Sequence, residues 1–215
     1  MELSFKIIQF VWVIEILPLV LGLIKFKSLS QPLKIIVLHL VFVALFEVGS
    51  RLMRAYYGNN LPLLHLYTIE EFIMLGLFFK SILEDYIPRN WIVLLISGFV
   101  SYSLVNSLFI QSLYMFNNFA RGIESLLIIA LAILYFIKVL NRLDIKKVTK
   151  EPLIWINTGI LFYFSANLFN FILSNLALKV SSDLSRTVWL FHGIFIWLLY
   201  ILIAVGLWLV PKKHK

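Results

Sequence analysis

Two adjacent carboxylates, Glu70 and Glu71, lie in the middle of a long apolar run. Ionisable groups inside such a run are costly and mark functional positions by default, facing a bundle interior or a wet cavity. Two carboxylates one residue apart need two cations or bound protons. Candidate partners recur elsewhere at helical spacing. Glu47, Arg51 and Arg54 step by four and then three residues, so they form one stripe on a helix. Asn117, Asn118, Arg121 and Glu124 step the same way at the start of another apolar run. Tyr163, Asn167, Asn170 and Ser174 share a helical face, Asn106 and Ser107 close a run, and His192 opens the last one. The candidate ligand-pocket residues are therefore Glu47, Arg51, Glu70, Glu71, Arg121, Glu124, Asn167, Asn170 and His192.

Four kinds of chemistry suit these residue types. Glu70, Glu71 or Glu124 as acid or base, assisted by His192, would serve an intramembrane enzyme acting on a lipid-like substrate. The amides and charges together would bind a small polar ligand. A line of titratable groups would carry an ion or a proton. The same groups would also simply brace the helices, at about 0.6 kcal/mol per buried hydrogen bond. No metal site and no cofactor are expected. His65 lies about 140° around its helix from Glu70 and reads as an interfacial residue pointing away from the carboxylates. His39 lies deep on the opposite side from His192, and His214 is in the tail, so they cannot share a metal.

Other chemistries lack their residues. Cys is absent, which removes disulfides, thiolate metal sites and thiol nucleophiles. Asp85, Asp144 and Asp183 fall between apolar runs, so an intramembrane aspartyl protease is unsupported. There is no H-E-x-x-H helix, no G-x-S-x-G elbow and no phosphate-binding glycine motif. The last apolar run carries no Lys for a retinal Schiff base.

The elements that must position these residues follow from composition. Hydrophobic residues make up 61% and charged residues 14% of 215, with mean hydropathy +0.95. A soluble domain is nearer half apolar and a quarter charged. The fold class is all-α, a polytopic membrane bundle in a single domain spanning 1–215. Seven runs are long enough to cross a bilayer, which takes about 20 apolar residues. They cover approximately 4–24, 32–54, 61–83, 90–110, 119–140, 152–174 and 187–210. Pro32, Pro62, Pro88, Pro152 and Pro211 fall at their ends, and Pro18 lies inside the first. That first run is broken by Glu15 and lacks a small-residue cleavage site, so it reads as a retained helix rather than a signal peptide. Ser97, Gly98, Ser101, Ser103 and Ser107 read as close-packing positions on the fourth span.

Thirteen of the 19 Lys and Arg residues fall on one side of these spans and six on the other. The positive-inside rule then puts the N-terminus outside and the C-terminus in the cytoplasm. In that orientation the candidate pocket residues lie in the outer half and should converge on one outward-facing cavity. Spans two, three, five, six and seven would surround it, leaving one and four peripheral. The net charge of +8 is assigned to loops that fix topology and touch lipid heads, not to nucleic acid.

Four segments carry a family likeness. Asn60-Leu-Pro-Leu-Leu-His-Leu-Tyr-Thr-Ile-Glu-Glu-Phe72, Asn118-Phe-Ala-Arg-Gly-Ile-Glu124, Trp155-Ile-Asn-Thr-Gly-Ile-Leu-Phe-Tyr163 leading to Asn167, and Leu190-Phe-His192 together resemble uncharacterised seven-helix inner-membrane proteins of Bacteroidota-type bacteria. The resemblance implies a bacterial inner-membrane location and marks Glu71, Glu124, Asn167 and His192; it implies no activity. The first functional expectation is a sensory or signalling module with an outward polar pocket, embedded in the bilayer and acting through a cytoplasmic or membrane partner. The alternatives are an enzyme on a lipid-like substrate, and a small-solute carrier or accessory membrane subunit.

Overall fold

The computed structural model describes residues 11–142, 148–180 and 182–211. Outside them lie residues 4–10 of the first expected span, together with Lys6, Asp144, Lys146, Lys147, Lys212, Lys213, His214 and Lys215. The side chains of Lys179, Asp183 and Arg186 lie outside them as well.

The described residues form seven α-helices and no strand: α1 Val11–Lys25, α2 Gln31–Tyr57, α3 Leu61–Leu83, α4 Arg89–Val105, α5 Asn118–Arg142, α6 Pro152–Val180 and α7 Ser182–Leu209. A π-turn at Asn106–Ile110 continues α4. Six helices, α2 to α7, are long and apolar enough to cross a membrane. The described part of α1 is 15 residues, about 22 Å, short of the ~30 Å hydrocarbon core. Large apolar side chains such as Leu45, Leu94, Leu126, Leu173 and Trp208 stand exposed on the outside. This is the arrangement of a multi-pass membrane protein, where lipid rather than water meets the surface.

Proline marks helix starts as the sequence predicts, and a glycine that it does not single out ends α2. Pro32 and Pro62 sit in the first turns of α2 and α3, where a missing N–H costs nothing. Gly58 ends α2 at φ 72°, in the left-handed region, and its N–H bonds to Arg54 O at 3.0 Å.

Six helices close a ring in the order α1, α2, α3, α5, α6, α7, and α4 packs outside it on α3. The sequence places both α1 and α4 at the periphery; the structure bears this out for α4, whereas α1 lies in the ring between α2 and α7. Lys25, the last residue of α1, joins it to α7 by donating to Trp208 O at 2.7 Å, Val210 O at 2.6 Å and Leu207 O at 3.2 Å. These are the orphan carbonyls at the end of α7, and a cation there also meets the negative end of the helix dipole. At the same end of the bundle Lys138 of α5 bonds to Asp85 and to Ile82 O at the end of α3.

Close approaches fall at three glycines, the first being Gly22 of α1, where a Cβ would lie 2.4 Å from the Val37 side chain of α2. A Cβ at Gly206 of α7 would lie 2.8 Å from Pro152 O of α6, and one at Gly76 of α3 would lie 2.6 Å from the Ile96 side chain of α4. The small residues of α4 divide. Ser103 is fully buried, whereas Gly98 has nothing near it and Ser97 and Ser101 face outward. Between α3 and α4 the close approach falls at Gly76, beside the buried Phe72 and Phe99 rings with centroids 4.0 Å apart, and not at Gly98.

Candidate functional site

The site begins with Arg121, which α5 carries in its first turn and which is 2% exposed. Its Nη1 bonds to Glu71 of α3 and, at 2.9 Å, to Glu124 Oε2 one turn further along α5. Its Nη2 donates to Tyr163 Oη of α6 at 3.4 Å. The guanidinium also lies 4.3 Å from the Phe171 ring centroid, where a delocalised cation gains from the ring quadrupole. Tyr67, one turn before Glu71, donates its hydroxyl to Glu71 Oε1 at 2.8 Å. One cation and two carboxyls from two helices, with a tyrosine hydroxyl from a third, therefore meet in the bundle interior, with Glu124 at 0% exposure.

Tyr163 extends the network along α6. Its carbonyl accepts from Asn167 Nδ2 at 2.9 Å, which fixes the amide so that Oδ1 points the other way. Asn167 Oδ1 then accepts from Asn170 Nδ2 at 3.1 Å and from His192 Nδ1 of α7 at 3.0 Å. Because an amide oxygen only accepts, His192 carries its proton on Nδ1. Tyr163, Phe171 and Trp189 stand around the imidazole with ring centroids 5.8, 5.5 and 5.4 Å away. Asn170 and His192 are half-buried, and the remainder of the line is buried.

Six of the nine expected residues are thus joined: Glu71, Arg121, Glu124, Asn167, Asn170 and His192. Glu70 is not in this network. Its Oε1 accepts from His39 Nδ1 of α2 at 3.1 Å. The sequence sets His39 deep toward the other side, but α2 runs to Tyr57, and the register with α3 brings His39 level with Glu70, just as Phe46 meets Tyr67 with ring centroids 5.5 Å apart. Glu47 and Arg51 also stand apart. The buried stripe of α2 ends at Val43, and beyond it the two side chains, 43% and 55% exposed, pair along one turn at 2.7 Å. His65 points away from the carboxylates as expected and is buried near the start of α3, bonded to Ser107 Oγ at 2.8 Å and Met115 O at 3.2 Å.

A second polar group closes the bundle above Arg121. The segment before α5 folds inward, burying Gln111, Phe116 and Asn117. Asn106 Nδ2 donates to Asn117 Oδ1 at 3.0 Å, and Asn175 of α6 exchanges bonds with the Phe116 backbone at 2.8 and 3.2 Å. Gln111 and Asn175 are absent from the sequence-based candidates, since a loop amide and an amide near a helix end carry no periodic signal.

Below the network a cavity of about 40 Å³ lies on the ring axis between α2, α3, α6 and α7, walled by His39, Tyr67, Glu71, Tyr163, Tyr200 and aliphatic side chains. One water needs roughly 10–15 Å³ on this measure, so the cavity suits a few waters. Small-molecule sites run to roughly 300–1,000 Å³. The joined residues thus form a hydrogen-bonded network above a water-sized cavity. Among the described residues no three His, Cys, Asp or Glu side chains are grouped to hold a metal ion. No protein-family model, curated protein or solved structure matches the chain.

Proposed function

We propose that the chain is a seven-span protein of a bacterial inner membrane, N-terminus outside and C-terminus cytoplasmic, that works as a sensory module through a partner. The observation that carries this reading is the polar line from His192 and Asn170, its half-buried members, through Asn167 and Tyr163 to the buried Arg121 cluster. A small polar ligand meeting His192 and Asn170 would compete for Asn167 Oδ1. The change would pass along α6 to a cluster whose charges bind α3, α5 and α6 together. Bistable packed elements transmit such a shift, and two arrangements of one ion-pair cluster provide one. The basic Lys-rich end would present the result to the partner.

Deleting the gene and restoring wild-type, His192→Ala or Asn170→Leu forms tests this. A sensor predicts a transcript response that wild type restores and the variants do not, at equal membrane abundance. If wild type and variants restore it alike, the relay is wrong. A second reading, a small-solute carrier, draws support from the axial cavity; it predicts solute uptake in vesicles that both variants leave intact.

A further inference from the structure

Charge and valence are both incomplete at the centre of the bundle. Glu71 and Glu124 present two carboxyls to the single cation Arg121, and both meet the same nitrogen, Nη1. Glu124 Oε1 is fully buried and has no hydrogen-bond partner, while the other three oxygens of the pair are all bonded. An unmatched negative charge and an unpaired oxygen in the same dry site are each expensive. A metal cation there would be repelled by the guanidinium. A proton satisfies both deficits at once, as an O–H between the two carboxyls, and needs no extra volume.

The surroundings provide a route. Glu71 also lines the axial cavity, whose polar walls include His39 of α2, Tyr67 of α3, Tyr163 of α6 and Tyr200 of α7. His39 in turn holds Glu70. Waters in that space would link the Glu71 carboxyl to His39, and proton transfer along such a line breaks one O–H or N–H bond for each that it forms. The titratable and charged groups facing the site are Tyr67 on α3, Arg121 on α5, Tyr163 on α6, Tyr200 and His192 on α7 and His39 on α2, with Glu70 on α3 and Glu15 on α1 beyond His39.

We propose that Glu71 and Glu124 form a binding site for one exchangeable proton, shared between the two carboxyls beside Arg121 and reached through the axial cavity from His39. The proposal does not depend on the sensory reading, and a failure of either leaves the other standing.

Infrared spectroscopy of the full chain in lipid nanodiscs at neutral pH provides the test. The wild type should show the carbonyl band of a protonated carboxylic acid, downshifted on transfer to heavy water. Glu15 is also a buried carboxyl with an unpaired oxygen, so the cluster variants are made in a Glu15→Gln background. There Glu71→Gln and Glu124→Gln should each abolish the band, because either leaves one carboxylate for one guanidinium. Glu15→Gln and Glu70→Gln should keep it. His39→Leu should slow the heavy-water shift severalfold without removing the band. The proposal is overturned if the wild type lacks the band, or if the band survives in either cluster variant, or if it disappears in Glu15→Gln or Glu70→Gln. An unchanged rate in His39→Leu overturns the route. The wild-type spectrum needs no variant to fold, so the first of these outcomes is always decisive.

Discussion

Arg121 Nη1 lies 2.9 Å from Glu124 Oε2, and neither side chain reaches the surface of the bundle. The pair is made within one helix, but its meaning comes from α3, which adds Glu71 to the same nitrogen. Buried ion pairs stabilise little against well-packed apolar groups of the same size. Ionisable groups inside a membrane bundle are costly and mark functional positions by default.

Arg121 should not tolerate lysine. A lysine ammonium lacks the planar fork that reaches Glu71 and Tyr163 through different nitrogens, and loses the flat contact with Phe171. Arg121→Lys is expected to lose about 1–3 kcal/mol, read as a lower unfolding midpoint in nanodiscs. An unchanged midpoint would show that only the charge matters.

The His39 and Glu70 pair should couple α2 to α3 on its own. A double-mutant cycle with His39→Leu and Glu70→Gln is expected to give an interaction energy of about 0.6–1.7 kcal/mol, the range of intramembrane hydrogen bonds. A cycle of Glu70→Gln with Arg121→Lys should give close to none, because Glu70 faces α2 and not the cluster. Strong coupling there would place Glu70 in the network.

Six of the apolar runs, those of α2 to α7, were legible because bilayer thickness fixes their length, and Pro32, Pro62 and Pro152 mark where three of them start. The stripe Tyr163, Asn167 and Asn170 was legible because helical periodicity puts those side chains on one face whatever surrounds it. Register was not. Depth judged from each span's ends assumes that neighbouring helices end level, and α2 continues to Tyr57, which brings His39 beside Glu70. Lys25 reads as a topology charge because hydropathy marks only the end of a span. Its role in capping α7 depends on α1 and α7 being neighbours, which the sequence pattern does not state.

Lys25→Met should loosen the α1 and α7 contact. It removes bonds to three carbonyls, and a charge-assisted hydrogen bond is worth about 1.5–3 kcal/mol. Amide exchange should rise in the last turn of α7 and hold steady in α3. Equal exchange in both would deny the cap.

Two glycines separate close packing from mere smallness. Gly206→Ala sets a Cβ 2.8 Å from the Pro152 carbonyl, a backbone atom that cannot swing aside. The expected cost is about 1–3 kcal/mol, with less protein in the membrane. Gly98→Ala meets nothing within 4 Å and should accumulate as wild type. The reverse order would contradict the packing of α7 on α6.

The charge balance of the cluster is tested most directly by removing it in two ways and comparing unfolding midpoints in nanodiscs. Arg121→Met alone leaves two carboxyls without a cation and is expected to cost about 3–5 kcal/mol. The triple variant Glu71→Gln, Arg121→Met, Glu124→Gln removes every charge and should recover most of that loss. A triple variant as unstable as Arg121→Met would contradict the account, since the penalty would then lie in packing around Phe171 and Tyr163 and not in unbalanced buried charge.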